Sequence, residues 1–94
     1  MTYKLKFLPI ALKEWKKLGE VIKSQFKKKL QERLENPRIA SAALSGLKDH
    51  YKIKLRNSGY RLVYKVEDKE ICIIVVAVAK RDKGYVYSLV DKRK

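Results

Sequence analysis

One cysteine, Cys72, stands in the 94 residues, so no internal disulfide can form and a cysteine-rich zinc site is ruled out. One histidine, His50, leaves no imidazole pair for acid–base work, and no Ser-His-Asp arrangement is evident around it. The ten acidic residues fall mostly on helices or in turns, which argues against a carboxylate cage for a metal ion. No stretch approaches about 18 uninterrupted apolar residues, so no membrane span is expected. The opening MTYKLKFLPIALKEW has neither the apolar core nor the small-residue cleavage site of a secretory signal. These absences lead to the expectation of a cytoplasmic protein of one domain, residues 1–94, that folds in a reducing compartment and needs no cofactor.

What the chain has in excess is positive charge. Its 24 Lys and Arg against 10 Asp and Glu give a net charge of +14 and a pI near 10.0. Residues 1–47 and 48–94 each carry +7, so the charge is not a basic tail on a neutral body. Such self-repulsion implies a polyanionic partner. Nucleic acid comes first, through release of counterions from phosphates, and an acidic protein partner is compatible with it. A membrane surface would call for an amphipathic helix with basic and aromatic faces. Hydrophobic residues make up 46% of the chain, enough for a core and against disorder.

The apolar periodicity sets the architecture. Tyr3, Leu5 and Phe7 alternate with Lys4 and Lys6, as in a half-buried strand. Pro9 suits the first turn of a helix whose apolar positions are Ala11, Leu12, Trp15 and Leu18, with Gly19 as its stop. Ile22, Phe26, Leu30 and Leu34 form the stripe of a second helix, which Asn36-Pro37 ends. Ala40–Leu44 reads as one helical turn in a connection. Tyr51–Asn57 and Tyr60–Glu67 flank Ser58-Gly59 as a hairpin. Ile71–Ala79 is nearly all apolar, as a central strand buried on both faces should be. Tyr85, Tyr87, Leu89 and Val90 mark a short C-terminal strand or helix. The expected fold is α+β: a small, mostly antiparallel sheet in the order β-α-α-β-β-β, with the helical hairpin on one face.

Charge concentrates in the hairpin. Tyr51–Val66 holds five basic residues and no acidic one. With Ser58-Gly59 as a two-residue loop, Leu55 faces Leu62, Ile53 faces Tyr64 and Tyr51 faces Val66 on an apolar side. On the other side Arg56 faces Arg61, Lys54 faces Val63 and Lys52 faces Lys65. A one-residue slip would put charge into the core. Like charges opposed across strands destabilise a sheet, so a cluster left without acids points to a bound phosphate. Lysines that discourage edge aggregation are the structural alternative.

The chemistry left to such a chain rests on Lys, Arg and Tyr. Several cations around one phosphate stabilise the added charge of a pentavalent transition state. Neighbouring cations favour the neutral form of a lysine, which can then take a proton from an RNA 2′-hydroxyl. Arginine stays charged and serves as a clamp, and tyrosine stacks on an unpaired base. Cys72 and His50 read as packing and loop residues.

Four strings, ALKEWKKLG (11–19), NPRI (36–39), YKIKLRNSGYRLVYKVED (51–68) and KRDKGYVYS (80–88), carry a resemblance that covers essentially the whole chain. The chain resembles the RelE toxins of bacterial type II toxin–antitoxin systems. The resemblance implies a RelE-like microbial ribonuclease fold and a ribosome-dependent mRNA interferase. Such an enzyme cuts the codon in the A site of the 70S ribosome by metal-independent attack of a 2′-hydroxyl. It also implies roles: Lys54 as general base, Lys52 as transition-state stabiliser, Arg61 as phosphate clamp, Arg81 at the leaving 5′-oxygen, and Tyr87 stacked on the mRNA base. Lys27, Lys28 and Lys29, with Arg56, Lys65, Lys80 and Lys83, would contact mRNA and 16S ribosomal RNA. Ser45 departs from the family pattern, which has a basic residue there. The implied partner is a RelB-like antitoxin that displaces the C-terminal element, with operator DNA reached only through the antitoxin. A second reading keeps the fold and the phosphate cradle without cleavage, as an RNA-binding module that acts with its antitoxin as corepressor. A sequence-specific DNA-binding protein is disfavoured, because no recognition helix is evident and the cations lie on a sheet.

Overall fold

The computed structural model describes residues 2–44, 46–56 and 58–80. Strand β1 (Lys4–Phe7) leads into α1 (Pro9–Lys16) and α2 (Glu20–Glu35). A 3₁₀ turn (Ala40–Ala42) follows, then β2 (His50–Lys54), β3 (Tyr60–Glu67) and β4 (Cys72–Lys80). The strands form one sheet in the order β1-β4-β3-β2. β1 runs parallel to β4, and the other two pairings are antiparallel. The α+β class and the element order expected from periodicity are those found.

Local chemistry explains the helix ends. Pro9 opens α1 and Lys13 and Lys16 sit in its last turn, favourable to its negative end. Gly19 is not its stop. The last turn tightens, with the N–H groups of Lys17 and Leu18 bonding to the Glu14 and Trp15 carbonyls, so the helix is finished before Gly19 is reached. Gly19 instead caps the start of α2 in an extended conformation (φ −68°, ψ 160°). Of the α2 stripe, Phe26 and Leu30 are fully buried and Ile22 and Leu34 pack partly against the core.

The helices cover one face of the sheet. Ala11, Trp15, Leu18, Phe26 and Leu30 pack on Ile53, Leu62, Tyr64, Val66, Ile73, Val75 and Val78. Phe7, Trp15 and Phe26 form a run of tilted ring contacts at 5.4 and 6.1 Å. A register shift opposite Val63 and Tyr64 accommodates the extra residue Val76 on β4. This bulge changes which side of β4 faces the helices, from Ile73 and Val75 to Val78. Val76 and Ala77 fall into a smaller cluster with Val63, covered by Leu8, Leu44 and Leu47. β4 is thus buried on both sides for most of its length, as its composition suggested.

The hairpin register differs from expectation. Tyr51 pairs with Tyr64, Lys52 with Val63, Ile53 with Leu62 and Lys54 with Arg61, an offset of two from the pairing expected for a two-residue loop. The Leu55 N–H bonds to the Tyr60 carbonyl and the Gly59 N–H to the Leu55 carbonyl, closing a loop of four residues, 56–59. The reason lies in the turn chemistry. A two-residue hairpin turn wants a left-handed residue or glycine first, and Ser58 is neither, whereas Gly59 at φ +77° closes the wider loop. An even offset preserves the faces, so the apolar and basic sides remain as assigned.

Candidate nucleic-acid interface

The side of the sheet away from the helices is covered at one end and open at the other. Its residues on β2 are His50, Lys52 and Lys54, which are buried, half-buried and exposed in turn. The connection that follows α2 makes the difference. The Leu44 N–H bonds to the His50 carbonyl at 2.9 Å, and Leu44 and Leu47 lie over Val63 and Ala77. His50 is therefore the first residue of β2, not a loop residue. Its Nδ1–H donates to the Lys48 carbonyl at 2.7 Å, and its Nε2 has no hydrogen-bond partner among the described residues.

The exposed end carries the charge. Leu55 and Tyr60 exchange a ladder hydrogen bond, so the next pair, Lys54 and Arg61, is of the non-hydrogen-bonded kind. Its Cα atoms approach to about 4.5 Å. The offset of two thus sets Lys54 directly across from Arg61, where the expected register had put Arg56. It leaves Arg56 in the loop and pairs Lys65 with His50, away from Lys52. Ala79 lies beside Arg61 on β4, so the row Lys54–Arg61–Ala79 ends in a small side chain. Lys80, opposite Tyr60, ends β4 at the same end.

Two open concavities meet at Lys54. One, of about 450 Å³, lies between α2 and the end of β2 and is lined by Gln25, Lys28, Lys29, Glu32, Lys54, Leu55 and Arg56. The other, of about 380 Å³, is lined by Lys54, Leu55, Arg56, Gly59, Tyr60 and Arg61. The structure therefore joins Lys28 and Lys29, exposed on α2, to the hairpin cations, while Lys27 does not line this cleft. Arg81, Lys83 and Tyr87, the C-terminal element and Ser45 lie outside the described residues.

Acids of the strands and turns gather at the opposite end of the sheet. Arg38 bonds there to Asp49 at 2.7 Å and to Asp68 at 2.6 Å, and Lys6 pairs with Glu70 at 3.3 Å. The Arg38 guanidinium holds the Asp49 carboxyl below the usual carboxylate range. The Tyr3 hydroxyl donates to Asp68, which pushes its ionisation up. The pairing of charges at that end leaves the hairpin end more strongly positive. Burial pushes the Cys72 thiol up, in keeping with a packing role.

Two arginines carry structure for which the sequence reading named no role, although Arg38 lies in the NPRI string. Arg38 is the tie just described. Arg33, on α2, donates through Nη1 to the Lys52 carbonyl at 3.2 Å and to the Tyr64 hydroxyl at 2.9 Å. Its place one position before Leu34, beside the apolar stripe, was the available signal.

A basic hairpin thus stands at the open end of a four-stranded sheet backed by two helices, an arrangement suited to holding phosphates. Residues 5–85 match the model of the ParE toxin of type II toxin–antitoxin systems, and the chain belongs to that family. It is 54% identical over 93 residues to the mRNA interferase toxin RelE of Escherichia coli strain K12, covering 99% of this chain and 98% of the relative. The fold matches a mutant of the E. coli toxin RelE in the free state with a TM-score of 0.91 at 53% identity, over 99% of this chain and 98% of that one. It matches the intact E. coli RelBE toxin–antitoxin complex with a TM-score of 0.83 at 53% identity, over 86% of this chain and 99% of that chain. The family read from the four sequence strings is the family found.

Proposed function

We propose that this chain is an mRNA interferase, the toxin of a type II toxin–antitoxin pair, and that it cuts mRNA in the ribosomal A site. The observation that carries this reading is the direct opposition of Lys54 and Arg61 on the open end of the sheet, with Lys52 two residues along the same strand face. A structural sheet gains nothing from such a pair; a scissile phosphate gains a base and a clamp on its two sides. Lys54, as the amine, takes the proton of the 2′-hydroxyl while the 2′-oxygen attacks the adjacent phosphorus. Arg61 and Lys52 stabilise the added negative charge of the pentavalent transition state. The bond to the 5′-oxygen breaks, leaving a 2′,3′-cyclic phosphate and, once protonated, a 5′-hydroxyl. Family resemblance gives that last proton to Arg81 and base stacking to Tyr87.

Lys28, Lys29, Arg56 and Lys80 extend the positive end and would hold mRNA and 16S ribosomal RNA phosphates. A RelB-like antitoxin with an acidic binding segment completes the pair. The likeness to a toxin solved with RelB supports it. Primer extension on mRNA held by programmed 70S ribosomes, with naked mRNA alongside, tests the reading. Cuts within the A-site codon on ribosomes, and few on naked RNA, are expected. Ribosome binding without cuts would refute the catalytic reading.

A further inference from the structure

Among the described residues β2 is an edge strand, held to a neighbouring strand on one side only. Ile53 and Tyr51 are the residues whose backbone groups point toward β3, so the Lys52 backbone points outward. The Leu44 N–H occupies the outward carbonyl of His50, and the connection bridges to β2 at Ala43 and Tyr51. At the next outward carbonyl, that of Lys52, the partner comes from a helix: Arg33 Nη1 at 3.2 Å. The same nitrogen donates to the Tyr64 hydroxyl at 2.9 Å, which in turn donates to the Pro37 carbonyl at 2.7 Å. The guanidinium lies 5.7 Å from the centre of the Tyr64 ring, and Tyr64 stacks on Tyr51 at 5.7 Å. Burial raises the Tyr64 ionisation, so its hydroxyl stays protonated and can donate and accept at once.

We infer that Arg33 is a positioning residue for cleavage, tying the backbone of Lys52 to α2 and thereby fixing the β2 lysines relative to Arg61 on β3. The inference rests on the assignment of Lys52, Lys54 and Arg61 proposed above. Arg33 acts from the edge and helix side of the sheet, whereas the Lys52 and Lys54 side chains leave by the other face, so it orders them through the strand. An edge strand without that tie can swing or twist about its single ladder. Displacing a general base by a fraction of an ångström weakens the transition state more than the encounter with RNA. Arg33 is half-buried, and its guanidinium is engaged with Lys52, Tyr64 and the Tyr64 ring.

The test is single-turnover cleavage on programmed ribosomes with four variants, all measured well below their melting temperatures. Arg33→Met keeps the stem and removes the donors, and is expected to lower the saturating rate about tenfold while leaving the half-saturating concentration within about twofold. Arg33→Lys keeps the charge on a side chain one bond shorter and restores part of the rate, since its ammonium can donate to at least one of the two acceptors. Leu30→Val, a core change elsewhere on α2, lowers the melting temperature without lowering the rate. Lys54→Met lowers the rate by roughly 10²–10⁴.

A wild-type rate for Arg33→Met beside a strongly slowed Lys54→Met would overturn the positioning role and leave the site assignment standing. Cleavage by Lys54→Met within about tenfold of wild type would overturn the site assignment itself. A change confined to the half-saturating concentration would make Arg33 a binding residue and overturn the inference. Should Arg33→Met fail to fold, Tyr64→Phe loosens the same tie with the ring kept. A severalfold loss of rate at unchanged half-saturation is then expected, and an unchanged rate would count against the tie.

Discussion

Replacing Lys54 by Met should separate catalysis, binding and stability into three opposed responses. The side chain is exposed and directly across from Arg61, and Met keeps most of its stem. Loss of a general base costs roughly 10²–10⁴ in rate. Binding should change far less, because Lys28, Lys29, Lys52, Arg56 and Arg61 remain at the same end. Losing one phosphate contact lowers the salt slope by about 0.7–0.9, roughly sixfold in affinity at ~0.1 M salt. Stability should rise. Relief of a cross-strand repulsion contributes ~0.5 kcal/mol, or about 2–4 °C in a domain of this size. Single-turnover A-site cleavage, ribosome binding across a salt series and thermal melting read the three terms. Cleavage within tenfold of the parent, or a lower melting temperature, would refute the assignment of Lys54 as a base held against Arg61 at an energetic cost.

Three further outcomes follow from the rest of the structure. Arg38→Ala removes the tie between Asp49 and Asp68. Asp49 is held below its ordinary range in the fold, so its contribution is present above that range and fades as pH falls through the lowered value. The variant should be less stable by ~0.5–1 kcal/mol near pH 7, and the gap should close in denaturant titrations as pH falls through the lowered Asp49 range. Gly59→Ala places a side chain at φ +77° and should cost ~1–2 kcal/mol in the same assay, with a smaller loss for Asn. Glu14 accepts the Val78 N–H at 3.2 Å, just beyond the Val76 bulge. Glu14→Ala should therefore lose ~1–3 kcal/mol while Glu14→Gln, which keeps an acceptor, retains most of it.

Much of this fold was legible because periodicity survives small errors of position. Ile22, Phe26, Leu30 and Leu34 declared a helix face whether or not Gly19 ended the helix before it. Ile71–Ala79 read as doubly buried from composition alone, although the Val76 bulge that switches the faces of β4 leaves no mark in a nearly continuous apolar run. The hairpin shows the same division. Parity was readable, since only one arrangement keeps Ile53, Leu62 and Tyr64 in the core. The offset was not, because it depends on how Ser58 and Gly59 share the turn, and several loop lengths satisfy the same alternation.

That two-residue offset matters more to the site than to the fold. In a chain with 24 basic residues, charge alone singles out none of them. A lysine on an exposed strand and a lysine on an exposed helix carry the same sequence signal, and so does an arginine whose guanidinium is engaged beneath the sheet. What distinguishes Lys54 is its partner across the ladder, and what distinguishes Arg33 is the carbonyl it reaches. Both are properties of register. The pattern of apolar residues fixed only which faces these side chains could occupy. The turn and the edge of β2 then brought Lys54 to Arg61 and left an outward carbonyl for Arg33. If the cleavage site is this cluster of cations, its specificity resides in backbone pairing, and variants that loosen the pairing without touching a cation, such as Tyr64→Phe, should lower the single-turnover cleavage rate while leaving ribosome binding unchanged.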